Sequence, residues 1–238
     1  MKIALIGYGK MGKTIERLAL ERGHVITEKF STNNPFLNQK EVDADVAIEF
    51  TEPSLVVNHI KHCNDIGLPI VVGTTAWYDH FNSVVEDVKS KNGSMFYATN
   101  FSLGVNLFFL ANEHLAKLMS AYPEYACSIE EIHHTEKKDA PSGTAITTAE
   151  GILENHSNYN QWKLSENSDK TIKIDALRLP NVPGTHHVNY ESAVDKITLG
   201  HEAKSRDGFA LGSIVAAEWL FSKKGVYNMK DLLNFDKS

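Results

Sequence analysis

The first twelve residues, MKIALIGYGKMG, constrain the fold of this chain more than any other stretch. An apolar run from Lys2 to Ile6 predicts a strand, glycines follow at Gly7, Gly9 and Gly12, and an amphipathic helical pattern begins there. Glycines at this spacing allow a tight turn, close approach of the backbone to a pyrophosphate, and close packing of the helix on the strand. An ordinary glycine turn is the alternative, but the position between a strand and a helix favours a dinucleotide-binding turn.

Short apolar runs alternate with helical patterns as far as Asn100. Strands are predicted at Val25 to Phe30, Val46 to Phe50, Ile70 to Val72 and Met95 to Ala98, with helices near Ser54 to Ile66 and His80 to Lys89. This alternation predicts right-handed crossovers and an α/β fold with a Rossmann-type, doubly wound parallel sheet. In such sheets ligands bind at the carboxyl ends of the strands, where this chain has small or polar residues such as Thr51 and Gly73.

The pattern changes after Asn100, which indicates a second domain. A helical segment from Val105 to Met119 precedes stretches of two-residue alternation at Ile172 to Ala176, Val188 to Tyr190 and Ile197 to Leu199. Such alternation predicts half-buried strands, so an α+β domain with a mixed or antiparallel sheet is expected. The polar segment from Glu154 to Lys170 is predicted to be an exposed connection, and a final helix is predicted at about Gly208 to Lys223.

The composition excludes several classes of protein. A formal net charge of −6 disfavours general binding to nucleic acids, because contact with many phosphates needs a basic surface. The longest apolar stretch, Leu103 to Ala111, is far shorter than the roughly 20 residues that cross a bilayer. Cys63 and Cys127 lack the spacing of a zinc motif or a disulfide framework and are expected to be reduced thiols. A cytoplasmic protein that binds neither membranes nor nucleic acids is therefore expected.

The end of the second predicted strand bears on the choice between NADH and NADPH. An acidic residue about 20 positions after the glycine turn usually binds the adenosine ribose, yet Ser31, Thr32 and Asn33 stand there. Without the acid there is no repulsion of a 2′-phosphate, and the hydroxyl groups or the nearby Lys29 can bind it. The sequence therefore favours NADPH over NADH, with Lys29 as a simple solvated charge being the equal alternative.

The segment EIHHTEKKDAPSGTA, residues 131 to 145, gathers residues suited to an anionic substrate. A metal is not expected, because the adjacent His133 and His134 point to opposite faces of a strand and the HExxH spacing is absent. The PSGTA turn predicts a helix whose first free amides, at Gly143 and Thr144, form a carboxylate site. With Lys137 as a cation, an anion site results; the alternative has His133 in a core network and Lys137 in solvent.

The same segment resembles the signature of the 4-hydroxy-tetrahydrodipicolinate reductase family, also called dihydrodipicolinate reductases. The signature E-[IV]-x-E-x-H-x-x-x-K-x-D-x-P-S-G-T-A is met from Ile129 through Ala145, and only its first position differs, where this chain has Ser128. The resemblance extends to GYGKMG, GTTAW at 73 to 77, ATNFSLGVNL at 98 to 107, PGTHHV at 183 to 188 and HEAKSRDGFALGS at 201 to 213. It therefore covers most of the chain.

The resemblance implies an NAD(P)H-dependent oxidoreductase of lysine and diaminopimelate biosynthesis. Its substrate is a cyclic imine dicarboxylate that loses water and accepts hydride at C4, which yields tetrahydrodipicolinate. His133 matches the position of a proton donor or acceptor, and Lys137 matches that of a proton donor. His134, Gly143 and Thr144 match substrate-binding positions. Lys137 is the better cation at neutral pH, because a free lysine titrates near about 10.4 and a free histidine near about 6.5.

The resemblance also implies nucleotide contacts at the strand ends of the first domain. They are Gly7, Tyr8, Gly9, Lys10, Met11, Gly12, Ser31, Gly73, Thr74, Thr75, Ala98, Thr99, Asn100 and Phe101. For Thr74 and Thr75, a role as turn residues alone is the alternative interpretation.

The family's architecture implies domain bounds and an oligomer. Its final helix returns to the nucleotide domain, so residues 1–101 plus 207–238 are expected to form the dinucleotide-binding domain. Residues 102–206 are expected to form the domain for substrate binding and oligomerisation, with a homotetramer assembled through its sheet. Arg206 is a further candidate for binding the substrate anion, and a salt bridge between domains is the equal alternative.

Two other functions stay open on the sequence alone. One is another nicotinamide-dependent dehydrogenase of amino-acid metabolism, such as an aspartate or homoserine dehydrogenase. The other is a non-catalytic dinucleotide sensor, which would keep the glycine turn but has no use for His133, Lys137 and the PSGT turn together. The segment from 131 to 145 opposes both.

Overall fold

The computed structural model describes residues 1–205 and 207–233, and the chain forms two compact units. Unit 1 comprises Met1–Ser102 and Asp207–Ser238, and unit 2 comprises Leu103–Arg206. The strands are β1 (Lys2–Ile6), β2 (Val25–Phe30), β3 (Val46–Glu49), β4 (Ile70–Val72), β5 (Ser94–Tyr97), β6 (Ala126–His133), β7 (Gln161–Leu164), β8 (Thr171–Arg178), β9 (Thr185–Glu191), β10 (Lys196–Glu202) and β11 (Gly225–Tyr227). The helices are α1 (Lys10–Glu21), α2 (Pro53–Asp65), α3 (Phe81–Ser90), α4 (Leu103–Met119), α5 (Gly143–Asn155), α6 (Asp207–Leu220) and α7 (Met229–Leu232). Within the described ranges, no helix is both long and apolar enough to span a membrane.

Unit 1 is built on a six-stranded sheet in the order β11-β5-β4-β3-β1-β2, in which every neighbouring pair is parallel. Parallel sheets are covered on both faces, so their strands are apolar along their length. Ile3, Leu5, Ala47 and Val71 accordingly have no exposed surface. The predicted doubly wound parallel sheet is confirmed, and the bounds of β1, β2 and β4 agree with the sequence prediction.

The last strand of this sheet has no clear signal in the sequence. β11 has three residues, all half-buried, and pairs in parallel with β5. Three residues are too few to show a period, so only the edge of an existing sheet selects them as a strand. The helix before it ends at Leu220, earlier than the predicted Lys223, and Ser222 there has a φ of +66°.

The turn between β1 and α1 requires glycine at two positions. Gly7 has a φ of +99°, and a side chain there would collide with the backbone of Phe50. At Gly12, a Cβ would collide with the carbonyl oxygen of Gly7. α1 therefore packs closely on the end of β1, and its N-terminus begins at the carboxyl edge of the sheet.

Unit 2 contains a five-stranded sheet in the order β10-β9-β6-β8-β7. β6 is antiparallel to β9 and parallel to β8, which confirms the predicted mixed sheet of an α+β domain. Side chains alternate along β6, so that Cys127 and Ile129 pack in the core that α4 and α5 cover. Glu131 and His133 follow on the same face.

The prediction of an exposed connection from Glu154 to Lys170 is wrong in part. α5 continues to Asn155, and β7 lies inside this segment, where it pairs in parallel with β8. Trp162 of β7 packs against the apolar core of unit 2. Because the polar Gln161 and Lys163 flank Trp162, the sequence shows no apolar run from which this short strand could be predicted.

Candidate active site

A cleft of about 580 Å³ lies in unit 1 at the carboxyl ends of β1 and β2. It is lined by the glycine turn, the loop after β2 and the start of α2, namely Ile6, Gly7, Tyr8, Gly9, Phe30, Ser31, Thr32, Pro35, Phe36, Leu37, Thr51, Glu52, Leu55 and His59. Open α/β sheets bind ligands at this edge, and the volume is typical of a small-molecule site. Of the predicted nucleotide contacts, Gly7, Tyr8, Gly9 and Ser31 line this cleft.

The glycine turn fits the pyrophosphate of a dinucleotide. No atom lies within 4 Å of the position that a Cβ on Gly9 would take, so the backbone is open there. α1 begins at the exposed Lys10 and has no acidic residue in its first turn. Met11 is half-buried and Gly12 is buried behind it. The free amides and the dipole of α1 therefore favour an anion in the cleft.

The residues after β4 do not line the cleft, and one of them uses its side chain inside the protein. The hydroxyl of Thr74 donates to Oε1 of Glu49 at 3.1 Å and accepts from the amide of Thr51 at 2.8 Å. Glu49 has no exposed surface, and sequence reasoning does not single it out. Gly73 lies against the ring of Phe50, while Thr75 is exposed. The side chain of Thr74 therefore stabilises the turn by binding the buried carboxylate of Glu49.

The segment after β5 holds the remaining predicted nucleotide contacts, and it too lies outside the cleft. Ala98 and Phe101 are buried, and the ring of Phe101 packs 6.0 Å from that of Phe50. Thr99 is exposed and Asn100 is half-buried. Thr99 and Asn100 are therefore the members of this segment that present polar surface.

Lys29, the candidate cation for a 2′-phosphate, is already paired. It forms an ion pair with Glu16 of α1, and its Nζ lies 5.0 Å from the centre of the Tyr8 ring. The hydroxyl of Tyr8 donates to the same carboxylate. The hydrogen bond with Glu16 raises the pKa of Lys29, so the ammonium group keeps its charge beside the cleft.

In unit 2, the predicted catalytic His133 is the last residue of β6 and is only 8% exposed. Its Nδ1 lies 2.9 Å from Oε2 of Glu131, which stands two residues earlier on the same face. Its ring makes an edge contact with the ring of His186 on β9, with centroids 5.1 Å apart. His134 follows the strand and is half-buried.

Glu131 is a buried carboxylate that sequence reasoning does not identify as functional. It has no exposed surface, and its Oε1 accepts from the Ser142 amide at 3.1 Å and from Arg178 Nη2 at 3.0 Å. Burial opposes its ionisation, but the interactions with His133, Ser142 and Arg178 outweigh burial and lower the pKa of Glu131 to about 2. The charged carboxylate therefore ties the end of β6 to β8 and to the start of α5.

His186 is a second residue that the prediction omits. Its Nε2 lies 3.2 Å from Oγ of Ser142 and 3.9 Å from Oε2 of Glu131. Burial, and then the neighbouring His133, lower the pKa of His186 to about 3, so its imidazole is neutral at physiological pH. The PGTHHV motif contains this residue, but only the pairing of Glu131 with His186 across β6 and β9 reveals its neighbours.

Lys137 lies in the turn after β6, where its amide donates to the carbonyl of His134 at 3.1 Å. Its Nζ pairs with both carboxylate oxygens of Asp139, at 2.8 and 2.9 Å. The backbone carbonyl of Asp139 accepts from Arg178 Nη2 at 2.6 Å, and the same nitrogen binds Glu131. Arg178 thus connects the loop that carries Lys137 to the carboxylate that contacts His133.

α5 begins next to this network. Ser142 is its N-cap, and its Oγ accepts from the amide of Ala145 at 3.2 Å. Helix geometry leaves the amides of Gly143 and Thr144 without acceptors inside the helix, and the space beside Gly143 is open. Both amides are thus available to a carboxylate. Arg206, the further candidate for the substrate anion, lies outside the described residues.

Glu131, His133 and His186 also place three metal-ligating atoms within 4.8 Å of one another. His133 Nδ1 and Glu131 Oε2 are in direct contact at 2.9 Å, although they are not aligned as a hydrogen bond. The Arg178 guanidinium lies 3.0 Å from the other carboxylate oxygen, and its charge repels a divalent cation. The hydrogen bonds of Glu131 go to Ser142 and Arg178 within the protein, and we assign no metal to this cluster.

Comparison with known proteins finds relatives along the whole chain. The family model for the N-terminus of dihydrodipicolinate reductase matches residues 1–101, and the model for its C-terminus matches residues 104–233. The curated 4-hydroxy-tetrahydrodipicolinate reductase of Christiangramia forsetii is 47% identical, over 98% of this chain and 98% of its own. That of Staphylococcus carnosus is 34% identical, over 98% of this chain and 100% of its own.

Among solved structures, the fold matches a dipicolinate-bound dihydrodipicolinate reductase from Paenisporosarcina sp. TG-14. The TM-score is 0.78, the sequence identity is 22%, and the match covers 97% of this chain and 98% of the other. An amine dehydrogenase from Mycobacterium smegmatis matches with a TM-score of 0.60 and 9% identity, over 95% of this chain and 94% of its own. At such identities the likeness concerns the fold alone.

Proposed function

The chain belongs to the dihydrodipicolinate reductase family, and we propose that it reduces 4-hydroxy-tetrahydrodipicolinate to tetrahydrodipicolinate with hydride from NAD(P)H. It is an oxidoreductase of lysine and diaminopimelate biosynthesis. The observation that carries the detailed proposal is the chain of contacts from His133 through Glu131 and Arg178 to the loop of Lys137. This chain of contacts holds the imidazole of His133 and the loop that carries the ammonium group of Lys137 at the end of β6.

The reaction needs both kinds of group. Loss of water from the hydroxylated ring gives a conjugated imine, and the bound reduced nicotinamide supplies hydride to C4 of this ring. The electron pair of the ring then shifts toward the nitrogen, and the resulting enamine takes up one proton. A cation or acid near the ring therefore stabilises the transition state more than the substrate.

Lys137 is the group that we assign to proton donation. Its ammonium group is paired with Asp139, whose side chain is 60% exposed. A partner that faces water holds the ammonium group loosely, so a substrate anion can replace it. His133 is assigned as the proton donor or acceptor, because its ring is held at the strand end by the buried Glu131.

The dicarboxylate is proposed to bind at the start of α5. The amides of Gly143 and Thr144 point out of the helix start, where the dipole favours a negative charge. His134 lies in the same segment and supplies an imidazole. These three residues would hold the carboxylates and position the ring for reaction, without taking part in proton transfer.

For the nucleotide we propose the cleft of unit 1, with NADPH preferred and NADH accepted. Ser31 and Thr32 line the cleft where a carboxylate would otherwise select the ribose hydroxyls of NADH. Lys29 precedes Ser31 by two positions and is charged, but Glu16 competes for it. The competition predicts a modest preference for NADPH.

The finer proposals on assembly and location rest on separate features. Side chains on the outer face of the unit 2 sheet stay partly exposed, with Ile132 and Leu177 adjacent across β6 and β8. We assign this face to a homotetramer, so light scattering should return four times the protomer mass of 26.5 kDa. Cys63 and Cys127 are free and buried, which supports a reducing compartment such as the cytoplasm.

The experiment that tests the function follows NADPH oxidation by absorbance with substrate made in situ from a dihydrodipicolinate synthase. Oxidation that depends on both protein and substrate supports the proposal. Oxidation with aspartate semialdehyde alone would instead favour another dehydrogenase. Nucleotide binding without turnover at any pH would favour a sensor.

A further inference from the structure

Two glutamate–histidine pairs start from adjacent residues of β6, one on each face of the sheet. On the outer face, Glu130 Oε1 lies 3.3 Å from His187 Nδ1, and the side chains are 40% and 35% exposed. On the inner face, Glu131 Oε2 lies 2.9 Å from His133 Nδ1, and the side chains are 0% and 10% exposed. Pairs open to water impose little geometry, whereas a buried carboxylate must be matched by donors.

The inner carboxylate can act only as an acceptor. Oε1 of Glu131 already accepts from the Ser142 amide and from Arg178. Oε2 lies 2.9 Å from His133 Nδ1 without the alignment of a hydrogen bond, and neither atom has another hydrogen-bond partner. An ionised carboxylate repels the lone pair of a nitrogen 2.9 Å away and attracts an N–H group, so the charge of Glu131 favours hydrogen on Nδ1 of His133. In a neutral imidazole only one nitrogen bears hydrogen, and the partner of that nitrogen decides which one it is.

The other nitrogen of His133 faces a residue without a side chain. A Cβ at Gly184 would lie 3.0 Å from Nε2 and 3.3 Å from Cδ2 of His133. The carbonyl of Gly184 accepts from the amide of Ala203 at 2.8 Å, which keeps this segment in place. A side chain at residue 184 would therefore press against Nε2, and glycine avoids this contact.

We propose that Glu131 is a positioning residue that holds His133 with hydrogen on Nδ1, so that Nε2, beside Gly184, is the atom that exchanges the proton. The tautomer follows from contacts within the free protein. Its catalytic consequence rests on the proposed function, in which His133 is a proton donor or acceptor. Neither Glu131 nor Gly184 needs to touch the substrate for this role.

The tautomer can be measured without any substrate. Protein labelled with 15N-histidine is examined at alkaline pH by long-range 1H–15N correlation, which distinguishes hydrogen on Nδ1 from hydrogen on Nε2. The His133 signals are assigned by their loss in His133→Gln. Hydrogen on Nδ1 is expected in the wild type, and a neutral His133 with hydrogen on Nε2 overturns the proposal, whether or not any variant folds.

Glu131→Gln tests the cause. Arg178 and the Ser142 amide both donate to the side-chain oxygen at position 131, so the glutamine NH2 is left facing His133. This group donates and therefore selects the tautomer with hydrogen on Nε2. Glu130→Gln is the matched control, because it alters the outer pair alone. A tautomer at His133 that is the same in both variants overturns the assignment to Glu131.

Kinetics separate the positioning role from a structural one. Glu131→Gln is expected to lower kcat about 100-fold with KM changed less than about 3-fold, and to alter the pH profile of kcat. Glu130→Gln, checked by light scattering for an unchanged assembly, is expected to keep wild-type values. A Glu131→Gln enzyme with the wild-type kcat would refute the positioning role, even if the reductase function is confirmed. A wild-type protein without reductase activity would refute the proposed function, while the tautomer measurement would remain a valid test of the contact between Glu131 and His133.

Discussion

The two candidate sites of this molecule are formed by different kinds of chemical group. The cleft of unit 1 is bordered by a backbone turn that exposes its amides, with Gly7 and Gly9 in the lining. The site of unit 2 is formed by charged and polar side chains around Glu131, which has no exposed surface. The first is suited to an anion through its amides and a helix dipole, and the second contains the groups that we propose for proton transfer.

The two sites differ in how they tolerate substitution. In unit 1, an added methyl group at Gly9 meets open space, so a substitution there affects the ligand and leaves the fold unchanged. In unit 2, Glu131 binds groups from β6, β8 and the start of α5, so function and stability are coupled. Substitutions that act on one unit alone are the way to test this contrast.

The largest effect is expected at Lys137. Lys137→Ala removes the assigned proton donor and should lower kcat by about 10³-fold, while the Kd of NADPH stays the same because the cleft is untouched. Lys138→Ala is the matched control, since it removes the exposed neighbouring ammonium group. Steady-state kinetics and fluorescence titration with NADPH measure the two quantities. Turnover near the wild-type rate in Lys137→Ala would refute the assignment.

The next effect is expected at the glycine turn. Gly9→Ala places a methyl group where the pyrophosphate is proposed to bind, and should raise the Kd of NADPH by about 100-fold. Its φ is −89°, so alanine is accommodated and the melting temperature should stay within about 2 °C. Gly143→Ala, which adds a methyl group to equally open space in unit 2, should leave this Kd unchanged. Equal losses in both variants would contradict separate roles for the units.

A smaller effect is expected at Lys29. Lys29→Ala should raise the Kd of NADPH by about 10-fold and leave that of NADH unchanged, because only the 2′-phosphate is proposed to use this charge. Glu16→Gln removes the competing carboxylate and should tighten NADPH binding. Isothermal titration with both nucleotides measures the preference. Parallel changes for NADH and NADPH would show that Lys29 does not bind the 2′-phosphate.

The smallest effect concerns pH and stability in unit 2. The pKa of His186 is lowered to about 3, so below pH 6.5 the unfolded chain binds a proton that the folded chain excludes. Stability is therefore lost as the pH falls from 6.5 towards 3, by about 1 kcal/mol between pH 7.5 and 5.5. His186→Asn should remove this part of the slope in urea unfolding at both pH values. An unchanged slope would show that His186 takes up its proton in the folded state.

Much of the fold could be predicted because its signals are local. The parallel sheet follows from apolar runs that alternate with helices, and β1, β2 and β4 have the bounds that the sequence predicts. β7 and β11 could not be predicted, because they have four and three residues and form only against the neighbours β8 and β5. Short strands have too little periodicity of their own to be recognised.

The glycine turn, the fold class of each unit and the family could be inferred from the sequence, because each depends on residues close together in the chain. The surroundings of His133 depend on the tertiary structure, because the pairing of β6 with β8 and β9 brings Arg178 and His186 next to it. A one-residue shift in that pairing would turn these side chains to the other face. Burial among those neighbours makes Glu131 a charged acceptor, and no pattern along the chain encodes that environment.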